Sequence, residues 1–310
     1  MANKIKIIDL FAGIGGIRLG FEKVSSNIEC VFTSEWNKFS AQTYTANFPN
    51  EIIHGDITKI DETIIPYHDI LLAGFPCQPF SQAGLKKGFS DTRGTLFFDI
   101  ERILKAKKPK AFLLENVKQL KGHDKGNTLK TILKHLKNIG YENVKYKVLK
   151  ARDFGLPQNR ERIYIVGFLD KTVSFSFPNP TNEHTLVGNI LENNVDEKYT
   201  ISDKLWEGHR RRKEQNKANG KGFGYGIVNE KSEYTNTLSA RYYKDGSEIL
   251  IEQKNKNPRK ITPREAARLQ GFPESFIIPV SDNQAYQQFG NSVAINVIEK
   301  IAEQMIKHLV

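Results

Sequence analysis

The sequence predicts an α/β fold: a doubly wound, mostly parallel sheet with flanking helices, and a smaller, mostly β or irregular domain in its second half. Three observations predict it. Short apolar runs alternate with stretches of helical period up to about residue 170, as in successive βαβ units. The first run ends in a glycine-rich turn, Gly13-Ile14-Gly15-Gly16, where such sheets cradle nucleotide-like ligands. From about Pro178 to Asn257 the periodicity fades, and Asn, Gly, Tyr and charged residues dominate.

Ile5 to Leu10 reads as a strand, and Ile17 to Lys23 as the helix after the turn. Glycine lets the backbone approach a ligand, and the helix N-terminus faces it; a ligand-free junction would have the same pattern. Cys30 to Ser34 is a second strand, ending at Glu35-Trp36. A carboxylate about 20 residues beyond the turn suits a ribose diol, or a helix start. Trp36 offers a flat face to an adenine or a cationic centre. Ile52-Ile53 leads to Gly55-Asp56-Ile57, whose acid can accept from an adenine amino group or close an Asx turn.

Asp69 to Ala73 is a buried strand, stopped by Gly74-Phe75-Pro76-Cys77-Gln78-Pro79-Phe80-Ser81. A cysteine after a strand is often a small core residue, but the flanking Gly, Pro, Gln and Ser oppose burial. The segment runs on through Lys86, Asp91, Arg93 and Gly94, and its length and glycines suggest a lid. A helix from Leu96 to Ala106 precedes the strand Ala111 to Leu114, which ends in Glu115-Asn116-Val117. Asn127 to Ile139 reads as a helix, with strands at Val144 to Leu149 and Ile163 to Phe168. Arg160 and Arg162 precede the last strand at the spacing of one strand face.

The later region carries a basic run, Arg210-Arg211-Arg212-Lys213, a glycine run around Tyr225, and Thr237 to Gly246 with Arg241, Tyr242 and Lys244. From residue 181 to 257 there are 13 Lys and Arg against 12 Asp and Glu, so local clustering rather than bulk charge marks a polyanion contact. Thr262-Pro263 caps a helix that stops at Gly271-Phe272-Pro273. Gly290-Asn291-Ser292-Val293 starts a terminal helix, Ala294 to Leu309.

A net charge of +11 favours a polyanionic partner. Two cysteines exclude a disulfide framework and a CxxC zinc site, and no metal is expected. With no signal segment and no apolar stretch near ~18 residues, a cytoplasmic protein without membrane contact is expected.

These motifs, in this order, resemble the bacterial cytosine-C5 DNA methyltransferases over essentially the whole chain. The catalytic half is similar to the HhaI methyltransferase, notably over Asp91 to Ile100. The runs Gly222 to Gly226 and Ser239 to Gly246 resemble the readers of Dcm-type enzymes. The resemblance implies an S-adenosylmethionine-dependent, Rossmann-like catalytic domain of residues 1–177 plus 286–310. Residues 178–285 would form the target-recognition domain and hinge. It assigns the cofactor to Phe11, Gly13, Ile14, Gly16, Glu35, Trp36, Asp56, Ile57, Gly74, Pro76, Leu96, Asn291, Ser292 and Val293. Cys77 becomes the nucleophile, Glu115 the acid at cytosine N3 if burial raises its pKa, and Arg162 the cation at O2, with Arg160 in support. Ser81, Lys86, Arg93, Arg210, Tyr225, Arg241, Tyr242 and Lys244 would meet DNA.

The resemblance further implies double-stranded DNA as substrate, a target of the CC…GG type such as CCWGG, a companion restriction endonuclease and a monomeric enzyme. One departure is Ala83, where the HhaI loop has a serine that enters DNA; Tyr225 is the substitute considered. A nicotinamide oxidoreductase would not need Cys77, Glu115 and both arginines together. A tRNA methyltransferase would carry a later Cys-Phe-Thr element, and no cysteine follows Cys77. A non-catalytic DNA-binding regulator would not need the nucleophile and acid.

Overall fold

The computed structural model describes residues 4–76, 96–181, 183–222 and 224–309. Its chain forms two compact units, one of residues 1–149, 161–179 and 297–310, the other of 150–160 and 180–296.

The first unit is built on a seven-stranded sheet. In chain order its elements are β1 (Ile5–Leu10), α1 (Gly16–Glu22), β2 (Ile28–Ser34), α2 (Lys38–Asn47), β3 (Ile53–His54), β4 (Ile70–Gly74), α3 (Leu96–Lys107), β5 (Ala111–Val117), α4 (Asn127–Asn138), β6 (Asn143–Lys150) and β7 (Glu161–Phe168). The strand order is β3-β2-β1-β4-β5-β7-β6. β1 to β5 pair in parallel, and β7 lies antiparallel to β5. The order reverses between β1 and β4, so the crevice at their carboxyl ends is the switch point where doubly wound sheets take ligands.

β4 and β5 are apolar runs because helices cover both their faces. One face packs Ile8, Leu71, Phe112 and Leu114 against Phe97, Ile100 and Ile103 of α3 and Ile132 and Leu136 of α4. At Gly20 of α1 an added Cβ would come within 2.5 Å of Ile298, so that glycine permits a close helix contact. Beneath α1 and α2 lies a buried polar cluster. Arg18 donates to Tyr44 at 3.1 Å, to Glu51 at 2.9 Å and to Glu22 at 2.6 Å. Tyr44 meets Thr33 at 3.0 Å. Asp9 is buried beside them, and burial holds its carboxyl well above the usual range against the pull of Arg18. The Cys30 thiol, also buried, is pushed up to about 11 by desolvation.

In the second unit, α5 (Asp203–Ala218) is the longest element, and the strands β8 (Ile227–Val228), β9 (Leu250–Ile251) and β10 (Arg259–Lys260) have two residues each. α6 (Pro263–Leu269) and α7 (Asp282–Asn291) follow. Thr262 caps α6 in a capping box with Glu265. α8 (Ile295–Ile306) is the last helix, so the sequence expectation of one terminal helix missed α7. No helix among the described residues is long and apolar enough to cross a membrane.

Candidate active site

Three adjacent parallel strands end in the predicted cofactor residues. After β1 the backbone turns through left-handed positions at Phe11 (φ 53°), Gly13 (φ 57°) and Gly15 (φ 82°). Around Gly13 no atom would lie within 4 Å of an added Cβ, so the turn is open above its backbone. Ile14 is buried below it, and Gly16 starts α1.

Glu35, at the end of β2, accepts the Gly13 amide at 2.7 Å through one oxygen and the Asn37 amide at 2.7 Å through the other. Burial raises its pKa, and those amides oppose the rise. A carboxylate has about four acceptor positions, so each oxygen retains capacity for a diol. The Trp36 side chain is 74% exposed. Beyond β3, Asp56 caps a short 3-10 turn by accepting from the Thr58 amide at 3.1 Å. Ile57 is buried. Ser34 donates to the Gly55 carbonyl at 2.8 Å, joining the ends of β2 and β3.

The neighbouring strand ends hold an acid and a cation. Gly74 of β4 stands opposite Glu115 of β5, and Val117 opposite Arg162 of β7. Arg162 Nε lies 3.2 Å from Glu115 Oε1, with both side chains largely shielded from water. Arg162 also donates to the Glu161 carbonyl at 2.8 Å. At Gly74 an added Cβ would lie 3.8 Å from Glu115 Oε2. Asn116 donates to the Phe75 carbonyl at 3.1 Å, tying the end of β5 to the backbone before the half-buried Pro76. With Glu115 protonated, such a pair can give a hydrogen bond to a ring nitrogen while a cation faces a neighbouring oxygen. Leu96, partly buried, is the first residue of α3. Cys77, Ser81, Lys86 and Arg93 lie outside the described residues.

Arg160 has a different environment from Arg162. It is 1% exposed and belongs to the second unit, where it donates to the carbonyls of Leu238 (3.0 Å), Gly290 (3.1 Å) and Ser292. Those bonds tie the Leu238 segment to the C-terminal end of α7. Asn291 is exposed, whereas Ser292 and Val293 are buried in the bend between α7 and α8. Tyr242 also departs from expectation. It is fully buried, donates to the Ile249 carbonyl at 2.7 Å and accepts the Ile261 amide at 2.9 Å, so it is core and cannot read bases. Its neighbours Arg241 and Lys244 are exposed. Tyr225, considered as a gap-filling residue, is half-buried with its ring 4.7 Å from that of Trp206. Arg210 is exposed on α5.

A family model described as C-5 cytosine-specific DNA methylase matches residues 5–307. The chain belongs to this family. Like its members, the methylase acts on cytosine C5 in DNA. It is 72% identical to the Type II methyltransferase M.NlaX of Neisseria lactamica, over 97% of this chain and 96% of the relative. It is 70% identical to the Type II methyltransferase M1.ScrFI of Lactococcus lactis subsp. cremoris, over 99% and 79%. Among solved structures, the Entamoeba histolytica methyltransferase EhMeth superposes with a TM-score of 0.82 at 25% identity, covering 99% of both chains.

Sequence reading of the methylase missed two groups beside these strand ends. Arg18 joins α1, which starts at the glycine turn, to α2 and Glu51. Asn37 caps α2 through its side chain while its amide holds Glu35. The Asn37 signal was available, since an Asn before a helical run is a cap. Arg18 gave none, because a charged residue on a short helix reads as solvated.

Proposed function

We propose that this methylase transfers a methyl group from S-adenosylmethionine to C5 of a cytosine flipped out of duplex DNA. The target is a CC…GG site such as CCWGG, and methylation there shields host DNA from a cognate restriction endonuclease. The enzyme works as a monomer in the cytoplasm. The observation that carries this reading is the Glu115–Arg162 pair, 3.2 Å apart, on strand ends next to the strand that leads to Cys77.

Cytosine C5 is a weak nucleophile. Addition of the Cys77 thiolate to C6 forms a C–S bond and shifts electron density onto C5. Glu115 gives a hydrogen bond or proton to N3, where negative charge develops. Arg162 faces O2. Once C5 carries the methyl group, loss of the C5 proton, departure of the Cys77 thiolate and return of the N3 proton to Glu115 restore the aromatic ring. The base must leave the helix stack for any of these groups to reach it. Ser81, Lys86 and Arg93 would meet the DNA around it, Arg241 the target sequence and Lys244 the DNA backbone.

When bound, S-adenosylmethionine supplies the electrophilic methyl group. The open backbone at Gly13, the remaining acceptor capacity of Glu35 and the exposed Trp36 face fit such a ligand. Phe11, Ile14, Gly16, Asp56, Ile57, Gly74, Pro76 and Leu96 would complete the cradle. We assign recognition of the target sequence to 178–285.

Bisulfite sequencing of DNA from a host expressing the chain tests the reading. Protected cytosines are expected in CC…GG contexts, and none with Cys77→Ser. Label transferred from S-adenosylmethionine to tRNA but not to duplex DNA would overturn it.

A further inference from the structure

Helix α5 presents a stripe that the methylation chemistry does not use. Trp206, Arg210, Lys213 and Lys217 stand at i, i+4, i+7 and i+11 and therefore share one helix face. Another face fastens the helix to its own unit. His209 is buried with Nε2 3.2 Å from the Asp245 carbonyl, and Arg212 pairs with the Asp245 carboxylate at 2.9 Å. The stripe cations are exposed, and among the described residues none has a carboxylate within 4.0 Å, although Glu207 and Glu214 lie on the same helix.

Aromatic rings hold two of these cations in place without neutralising them. The Arg210 guanidinium sits 5.6 Å from the Trp206 ring centre, and Lys213 Nζ lies 4.2 Å from that of Tyr225. The Tyr225 and Trp206 rings are themselves in edge contact. Gly224 brings its backbone against the Lys213 stem, where an added Cβ would lie 2.7 Å from Lys213 Cγ. Lys213 has thus lost much of its rotamer freedom before any ligand arrives, which lowers the entropic cost of binding an anion.

Resting on the reading of this chain as a DNA methylase, we infer that the α5 stripe binds the phosphate backbone of the substrate duplex and reads no bases. From Arg210 to Lys217 the helix rises about 10 Å. One DNA strand carries a phosphate about every 3.4 Å along the axis, so the stripe spans about three. Cations of no fixed hydrogen-bond partner suit a repeating charge better than a base edge.

The test is the triple variant R210Q/K213Q/K217Q, titrated with a duplex containing the methylated site and with one lacking it. Neutralising three phosphate contacts should flatten the slope of log K against log salt by about 2.7. Affinity near 0.1 M salt should fall on the order of 10²-fold for both duplexes alike, with the bisulfite pattern unchanged. The charge-preserving R210K/K213R/K217R should keep the wild-type slope. An unaltered slope in the neutral variant overturns the inference while its methylation of DNA leaves the proposed function standing. A changed set of methylated sequences, or equal loss in the charge-preserving variant, also overturns it. Absence of DNA methylation by the wild-type chain would instead defeat the function on which the inference rests.

Discussion

In the first unit the central strands satisfy one another's backbone. β5 pairs along all seven residues with β7 and along five with β4, so polar side chains are left over for the strand ends, where Glu115, Asn116 and Arg162 gather. In the second unit the strands have two residues each, and side chains must serve the loops. Gln158 donates to the Leu269 carbonyl at 3.0 Å and accepts the Leu238 amide at 3.0 Å. Glu265 pairs with Arg259 at 2.7 Å and accepts the Glu192 amide at 2.9 Å. Arg160 and Tyr242 serve in the same way. A buried polar residue at a strand end of the sheet unit is therefore a candidate for chemistry, and in a loop-built unit it is first a candidate for scaffolding.

Paired substitutions give the largest test of that contrast. Arg160→Ala strands three carbonyls, each costing about 1–3 kcal/mol when buried and unmet. Denaturant unfolding should show a loss of about 3 kcal/mol or more. Glu115→Gln should keep wild-type unfolding within about 1 kcal/mol, while single-turnover methylation falls about 10²-fold or more. The contrast breaks if Arg160→Ala folds like wild type and loses only turnover.

The same division separates two adjacent residues. Arg241→Ala should relax methylation at one base position, since a guanine contact contributes about 1–3 kcal/mol of discrimination. Tyr242→Phe leaves the Ile249 carbonyl and the Ile261 amide unmet, so it should keep the methylated sequences unchanged and lower stability by about 2 kcal/mol or more. Deep sequencing of methylated random sites distinguishes the outcomes. A uniform decline at every site in Arg241→Ala would mean a phosphate contact and not a base contact.

Asp9 sharpens the contrast from the other side, as a buried acid in the sheet unit. Its folded pKa is raised, so its contribution to stability is full below about pH 4 and is lost as pH rises toward the folded value. Relative to Asp9→Asn, the wild type should lose up to about 1.4 kcal/mol per pH unit over that window. Unfolding measured at pH 5 and pH 7 reads the difference directly, and a constant gap between the two proteins would refute it.

The sheet unit was legible because hydrophobic runs, glycine turns and acids at strand ends are local signals. Glu35, Glu115 and Arg162 stand at strand ends where the periodicity put them. The second unit was less legible because its order comes from bonds across long separations, such as Arg160 to Ser292. Helix α7 was missed since its polar residues, Asp282 to Gln284, hide an apolar face of Ala285, Tyr286 and Phe289. Tyr242 was misread because nothing near it in the sequence announces Ile261, whose amide it receives.

The buried Cys30 has a practical consequence. Its thiol is pushed up to about 11 and shielded from solvent, so alkylating reagents at neutral pH have no thiolate to attack there in the folded protein. The chain holds only one other cysteine, Cys77. Labelling stoichiometry on intact enzyme then becomes a one-channel meter of the proposed nucleophile. A second equivalent of label signals that the core around β2 has opened.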